Sequence, residues 1–113
     1  MEKYSVYISP TAKRQLNEIV KYIINDLSNP LAGLGFLDSF ETSIKKLEYF
    51  PEAYVLAERK IFKNLNVRRL IFKSFNIYYK VDSKLKRVDI IAITYAKCDQ
   101  YKQLYDLANK LKT

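Results

Sequence analysis

The stretch VRRLIFKSFNIYYKV, Val67 to Val81, takes on a period of two and reads as a pair of β-strands. The alternation is cleanest over Phe75–Asp82. There Phe75, Ile77, Tyr79 and Val81 face one way, and Asn76, Tyr78, Lys80 and Asp82 face the other. Four cations, Arg68, Arg69, Lys73 and Lys80, and two adjacent tyrosines stand in these strands. One face must pack on a core, so the other is expected to be a surface that meets anions. Tyr79 falls with the core side; Tyr78, beside Lys80, is the better candidate for stacking or phosphate contact.

Working outward, Asp82-Ser-Lys-Leu-Lys86 fits a hairpin connection, and Val88–Tyr95 carries the Ile90-Ile-Ala-Ile93 run of a central strand. Leu104, Leu107, Ala108 and Leu111 predict a short C-terminal helix. Upstream, Tyr4, Val6 and Ile8 alternate with polar residues as in a half-buried strand. Ser9-Pro10 then gives a helix start, the serine as cap and the proline at a position whose N–H is not needed. Ala12, Leu16, Ile19, Val20, Ile23 and Leu27 form one face of that helix.

Ser28-Asn29-Pro30 repeats the signal, and Leu37, Phe40, Ile44 and Leu47 mark a second buried stripe that Pro51 ends. Glu41–Lys45 is a well-oriented i,i+4 pair, and Gly33 and Gly35 suggest close packing at the start of this helix. The short break makes the two helices an antiparallel hairpin. Residues 52–66 read as irregular. The expected fold is α+β: an N-terminal strand, an antiparallel helical hairpin packed on a mainly antiparallel four-stranded sheet, and a short C-terminal helix.

At 113 residues the chain is one domain, 1–113; it is 49% hydrophobic with five Gly or Pro residues, the composition of a globule. No apolar run approaches the roughly 18 residues of a membrane span. The start, MEKYSVYISP, lacks the apolar core of a signal peptide, which predicts a cytoplasmic protein without a membrane partner. With no histidine and a single cysteine, Cys98, neither a disulfide nor a metal site is expected, nor any cofactor; Cys98 reads as an inert thiol. The net charge of +8 is uneven. Residues 1–57 hold six Lys or Arg against seven Asp or Glu, a net of −1, whereas residues 58–113 hold fourteen against five, a net of +9. The second half therefore calls for an anionic partner, nucleic acid or an acidic protein segment.

Taken in order, Tyr4-x-Val6-x-Ile8-Ser9-Pro10-x-Ala12, Leu16, Ile19, Tyr22-Ile23, Asn29-Pro30, Leu47-x-x-Phe50-Pro51, Val67-Arg68-Arg69-Leu70 and Asn76-Ile77-Tyr78-Tyr79-x-Val81-Asp82 resemble RelE/ParE-type toxins of bacterial toxin–antitoxin pairs. The resemblance spans nearly the whole chain and implies one fold with two possible activities. RelE-like members cleave mRNA on the ribosome, ParE-like members trap DNA gyrase, and both are silenced by a cognate antitoxin that wraps them.

A metal-independent nuclease of this type would draw on cationic and phenolic groups to assist 2′-OH attack, stabilise the developing charge and protonate the leaving oxygen. The resemblance assigns those roles to Arg68, Arg69, Lys73, Lys97 and Tyr105. Asn76 stands where such enzymes tend to place arginine, and Cys98 lies near another such position. Tyr95 replaces a histidine found in many relatives. The basic C-terminal segment from Tyr101 to Lys112 looks ParE-like, and the reading leans to gyrase inhibition. Ribosome-dependent mRNA cleavage is the alternative, and a non-toxic RNA-binding module is a third.

Arg59, Lys60, Lys63, Arg68, Arg69, Tyr78, Lys80 and Tyr95 are then the candidates for contacting target or phosphate, with Arg59, Lys60 and Lys63 extending one cationic groove. Plainer readings stand beside these. Arg68, Arg69 and Lys73 would also suit an edge strand protected by charge. Tyr105 would pack its ring and expose its hydroxyl, and Lys84, Lys86 and Arg87 would form a solvated loop. Leu65, Ile61 and Phe62 lie where a bound antitoxin peptide would cover them.

Overall fold

A computed structural model describes residues 3–54, 56 and 65–96. The order is strand β1 (Ser5–Ile8), helix α1 (Pro10–Lys21), helix α2 (Pro30–Lys45), then strands β2 (Arg68–Phe72), β3 (Phe75–Asp82) and β4 (Arg87–Tyr95). The sheet runs β1-β4-β3-β2; β1 lies parallel to β4 and the other two pairings are antiparallel. The two helices cover one face. The α+β architecture expected from the sequence is the one observed, and the proposed C-terminal helix lies outside the described residues.

Both helix starts form as the capping residues dictate. Ser9 Oγ accepts the Ala12 amide at 3.1 Å and Asn29 Oδ1 accepts the Ala32 amide at 3.1 Å, each followed by proline in the first helical turn. Ala12, Leu16, Phe36, Phe40 and Leu47 from the helical layer meet Leu70, Phe72, Ile77, Tyr79, Val88, Ile90 and Ile93 from the sheet in one core. Phe36 belongs to this core although the second helical stripe was read without it. Its ring packs edge-on against Phe72 at 5.3 Å and Phe75 at 5.5 Å between centroids.

Two expectations are corrected. Leu27 does not continue the buried face of α1, because the helix widens into a π-helical turn over Tyr22–Asp26 and the Leu27 amide reaches back to the Tyr22 carbonyl. That turn holds one residue more than an α turn, so the face rotates away and Leu27 ends 57% exposed. Lys73 is not on a strand: it occupies the tight turn between β2 and β3 at φ 52°. Among the described residues β2 is an edge strand, as the plainer reading of its charges has it, with a bridge from Arg68 to Leu56 on its outer side.

Between β3 and β4 the register shifts at Tyr78/Tyr79, whose partners are Ala92 and Ile90, so Ile91 is an extra residue in β4. Helix α1 meets this bulge. Ser9 Oγ donates to the Ile91 carbonyl at 3.2 Å, and Gln15 Oε1 accepts the Ile93 amide at 2.7 Å. At the far end of the helices Gly33 lets them approach closely. A Cβ there would stand 2.5 Å from Ile24 Cγ1, which is the close packing the sequence suggested, whereas Gly35 faces open space.

Candidate functional site

The cationic residues of the opening stretch enter three different environments. Arg68 pairs in register with Tyr79. Its Nη1 donates to the Tyr54 carbonyl at 2.6 Å and the Glu52 carbonyl at 3.4 Å, and Nη2 lies 4.0 Å from the Glu52 carboxylate. Tyr79 is fully buried, and its hydroxyl donates to the Pro51 carbonyl at 2.7 Å. Burial pushes that phenol well above its ordinary range, and the nearby Arg68 charge only partly opposes the shift. Together Arg68 and Tyr79 fasten residues 51–54 to the sheet edge. They satisfy backbone carbonyls that would otherwise lack donors.

Arg69 lies one residue on, opposite Tyr78 and on the face turned away from the helices. Its Nε is buried and meets no acceptor among the described residues. Tyr78 and Asn76, which the alternation assigns to the polar face, are not exposed. Tyr78 is 2% and Asn76 6% accessible, and Asn76 Nδ2 lies 3.5 Å from the Tyr78 hydroxyl. Ala92 and Thr94, their partners in β4, are buried as well. The far face of the sheet is therefore covered at its β3 and β4 positions, which period alone could not reveal, while Ile71, the β2 partner of Asn76, stays 66% exposed. Lys80 is half-buried opposite Asp89, and Asp89 binds Arg87 Nε at 2.8 Å.

Lys73 and Tyr95 come together elsewhere. They stand at the rim of a cavity of about 810 Å³ between the helical hairpin and the end of the sheet. Ile19, Tyr22 and Phe36 form its helical wall, and Phe75 with Tyr95 its sheet wall. The Phe75 and Tyr95 rings meet edge-on at 5.2 Å. This cavity was not legible in the sequence, because its walls come from segments about 40 to 75 positions apart; only the density of aromatic residues hinted at it.

The Lys84–Arg87 loop is less bland than its composition. Asp82 Oδ1 accepts the Lys84 and Leu85 amides at 3.0 Å each, Lys86 Nζ lies 5.3 Å from the Tyr4 ring centre, and the Arg87 guanidinium lies 4.3 Å from that of Tyr7. Arg59, Lys60, Lys63, Lys97, Tyr105 and Cys98, with Ile61 and Phe62, lie outside the described residues. None of the described helices is long and apolar enough to cross a membrane.

Solved structures share this arrangement. A chain of the chromosomal ParDE toxin–antitoxin system from P. aeruginosa superimposes with a TM-score of 0.66 at 18% identity, covering 82% of this chain and 96% of that one. A chain of the RelBE2 toxin–antitoxin complex from Mycobacterium tuberculosis gives a TM-score of 0.57 at 16% identity, covering 82% and 98%. At such identities the likeness establishes the fold and nothing finer. Comparison with curated protein sequences returns no match. A family model for the ParE toxin of the type II toxin–antitoxin system parDE matches residues 6–99, from β1 through β4 and just beyond. The chain belongs to the ParE toxin family of type II toxin–antitoxin systems.

Proposed function

We propose that this protein inhibits growth by binding DNA gyrase in the cytoplasm, and that a cognate antitoxin neutralises it. The observation that carries the choice of a protein target over RNA cleavage is the divergence of the candidate nuclease residues. Charge stabilisation on a transferring phosphate needs exposed donors that converge on one point. Of the candidate nuclease residues that are described, Arg68 is engaged by the Glu52 and Tyr54 carbonyls, Arg69 lies on the opposite face of the sheet, and Lys73 sits at the cavity rim. The two solved relatives come from toxin–antitoxin systems, which supports an antitoxin partner. The aromatic cavity rimmed by Lys73 and Tyr95 is its docking place, since it accepts apolar side chains, and Lys73 at the sheet end and Glu18 on the helical wall give it one charge of each sign.

One observation favours the alternative, a ribosome-dependent mRNA endonuclease. The buried Nε of Arg69 lacks an acceptor among the described residues, and a phosphate oxygen would supply one. Two reactions separate the readings. Purified protein added to gyrase and supercoiled DNA should accumulate cleavage complexes, and the same protein in a translation reaction should leave a defined mRNA intact. Ribosome-dependent cuts within codons, mapped by primer extension, would establish the nuclease instead.

A further inference from the structure

The helical hairpin carries a second surface that neither the core nor the cavity uses. Leu27, Leu31 and Leu34 are 57%, 80% and 58% exposed at the end of the hairpin. On α2 the positions 31, 34, 38 and 41 follow helical spacing and share one face, opposite the stripe of Phe36 and Phe40 that enters the core. That face thus runs from two leucines into Asp38 and Glu41 and ends at Lys45, and Asp26 stands beside Leu27 at the tip, so the border carries three carboxylates against one cation. Among the described residues none of these three carboxylates makes an ion pair, including the Glu41–Lys45 pair that the sequence offered. Gly35 borders this face next to Leu31, with nothing within 4 Å of where its Cβ would be, so a partner backbone can approach closely along that edge.

We propose that this outer hairpin face, Leu27, Leu31 and Leu34 bordered by Asp26, Asp38 and Glu41, is where the target protein docks. The partner surface it fits is an apolar patch flanked by lysine or arginine. Scattered apolar residues are ordinary on a surface, but three leucines together at one end of a hairpin are a contact patch. The sign of the border selects the class of partner: carboxylates repel phosphate, which excludes nucleic acid from this face, and they attract cationic protein. The rest of the molecule has the opposite sign, since residues 1–57 carry −1 and residues 58–113 carry +9. An acidic antitoxin segment is therefore drawn to the cationic half, leaving the hairpin face to a different protein. The inference rests on the reading of a protein target, gyrase, given above.

The test uses Leu31→Arg/Leu34→Arg and, separately, Asp38→Lys/Glu41→Lys. All four positions are exposed, and circular dichroism with thermal melting verifies the fold. Binding of each protein to purified gyrase and its yield of cleavage complexes on supercoiled DNA are measured over a salt series. The leucine variant is expected to lose about tenfold or more in affinity. The charge-reversed variant should bind less tightly at low salt and lose the salt sensitivity of the wild type. A wild type that traps gyrase while both variants trap it equally well overturns the hairpin assignment alone. Wild-type protein without effect on gyrase overturns the target reading, and this inference with it. Loss of antitoxin capture in the folded leucine variant would assign the face to the antitoxin instead. A wild-type dimer in sedimentation that this variant dissolves would assign it to a second copy of the chain.

Discussion

Gln15 on α1 accepts the Ile93 amide of β4 at 2.7 Å, across 78 positions of sequence. The bulge at Ile91 turns the neighbouring backbone toward the helix, and α1 answers with two side chains, Ser9 and Gln15. Gln15→Ala leaves a part-buried N–H without a partner, which costs about 1–3 kcal/mol. Gln15→Glu keeps an acceptor at the same reach and should lose much less. Urea unfolding of the three proteins checks this; equal midpoints for wild type and the alanine variant would mean that water replaces the glutamine without loss.

The two glycines of α2 offer an internally controlled comparison. Each gains the same helix propensity on replacement by alanine, about 1 kcal/mol. Only at Gly33 does the new methyl meet a neighbour, Ile24 Cγ1 at 2.5 Å. Gly35→Ala is therefore expected to raise stability, and Gly33→Ala to fall below it by the cost of overpacking, about 1–3 kcal/mol. The difference between their unfolding free energies isolates the clash. A difference near zero would show that Ile24 repacks freely.

Much of this fold was legible because its signals are local. Ser9-Pro10 and Asn29-Pro30 cap their helices through contacts three residues away, and Phe75–Val81 alternates as a strand with one face on a core. The failures share a physical origin as well. Tyr78 and Asn76 alternate as surface residues do, but period reports which face a side chain takes and not what covers that face. Arg68 was read as a free cation, since nothing in its neighbours foretells that the carbonyls of Glu52 and Tyr54 return to its guanidinium. Leu27 missed the core through one π-helical turn, a change of register that residue types do not signal.

The Tyr79 hydroxyl gives an alkaline signature. Burial raises its pKa in the fold above the ordinary phenol value of about 10, so the native state holds the proton more tightly than the unfolded chain. The resulting stability is fully present below about pH 10 and is lost as pH rises from there toward the folded-state value. Tyr79→Phe also leaves the Pro51 carbonyl without its donor, a loss of about 1–2 kcal/mol at neutral pH. Urea midpoints at pH 8 and near pH 11 should converge between wild type and variant. Parallel curves would assign the alkaline loss to the other tyrosines and the lysines.

At the cavity rim, Tyr95 presents a ring held edge-on by Phe75, and Lys73 supplies a charge from the β2–β3 turn. An amphipathic antitoxin segment entering here would bury apolar side chains against Tyr22, Phe36 and Tyr95 and set a carboxylate near Lys73. Tyr95→Ala removes an aromatic contact of the kind that carries much of an interface, worth about 2 kcal/mol or some thirtyfold in affinity. Lys73→Glu places like charge against an acidic segment and should slow association most at low salt. Both residues are exposed, so stability should change little, within about 0.5 kcal/mol. Titration of the purified toxin variants with the cognate antitoxin measures each effect. Because the leucine face of the hairpin is untouched, both variants should keep their action on gyrase and escape neutralisation. If they instead lose activity while still binding antitoxin as the wild type does, the cavity faces the target and the hairpin does not.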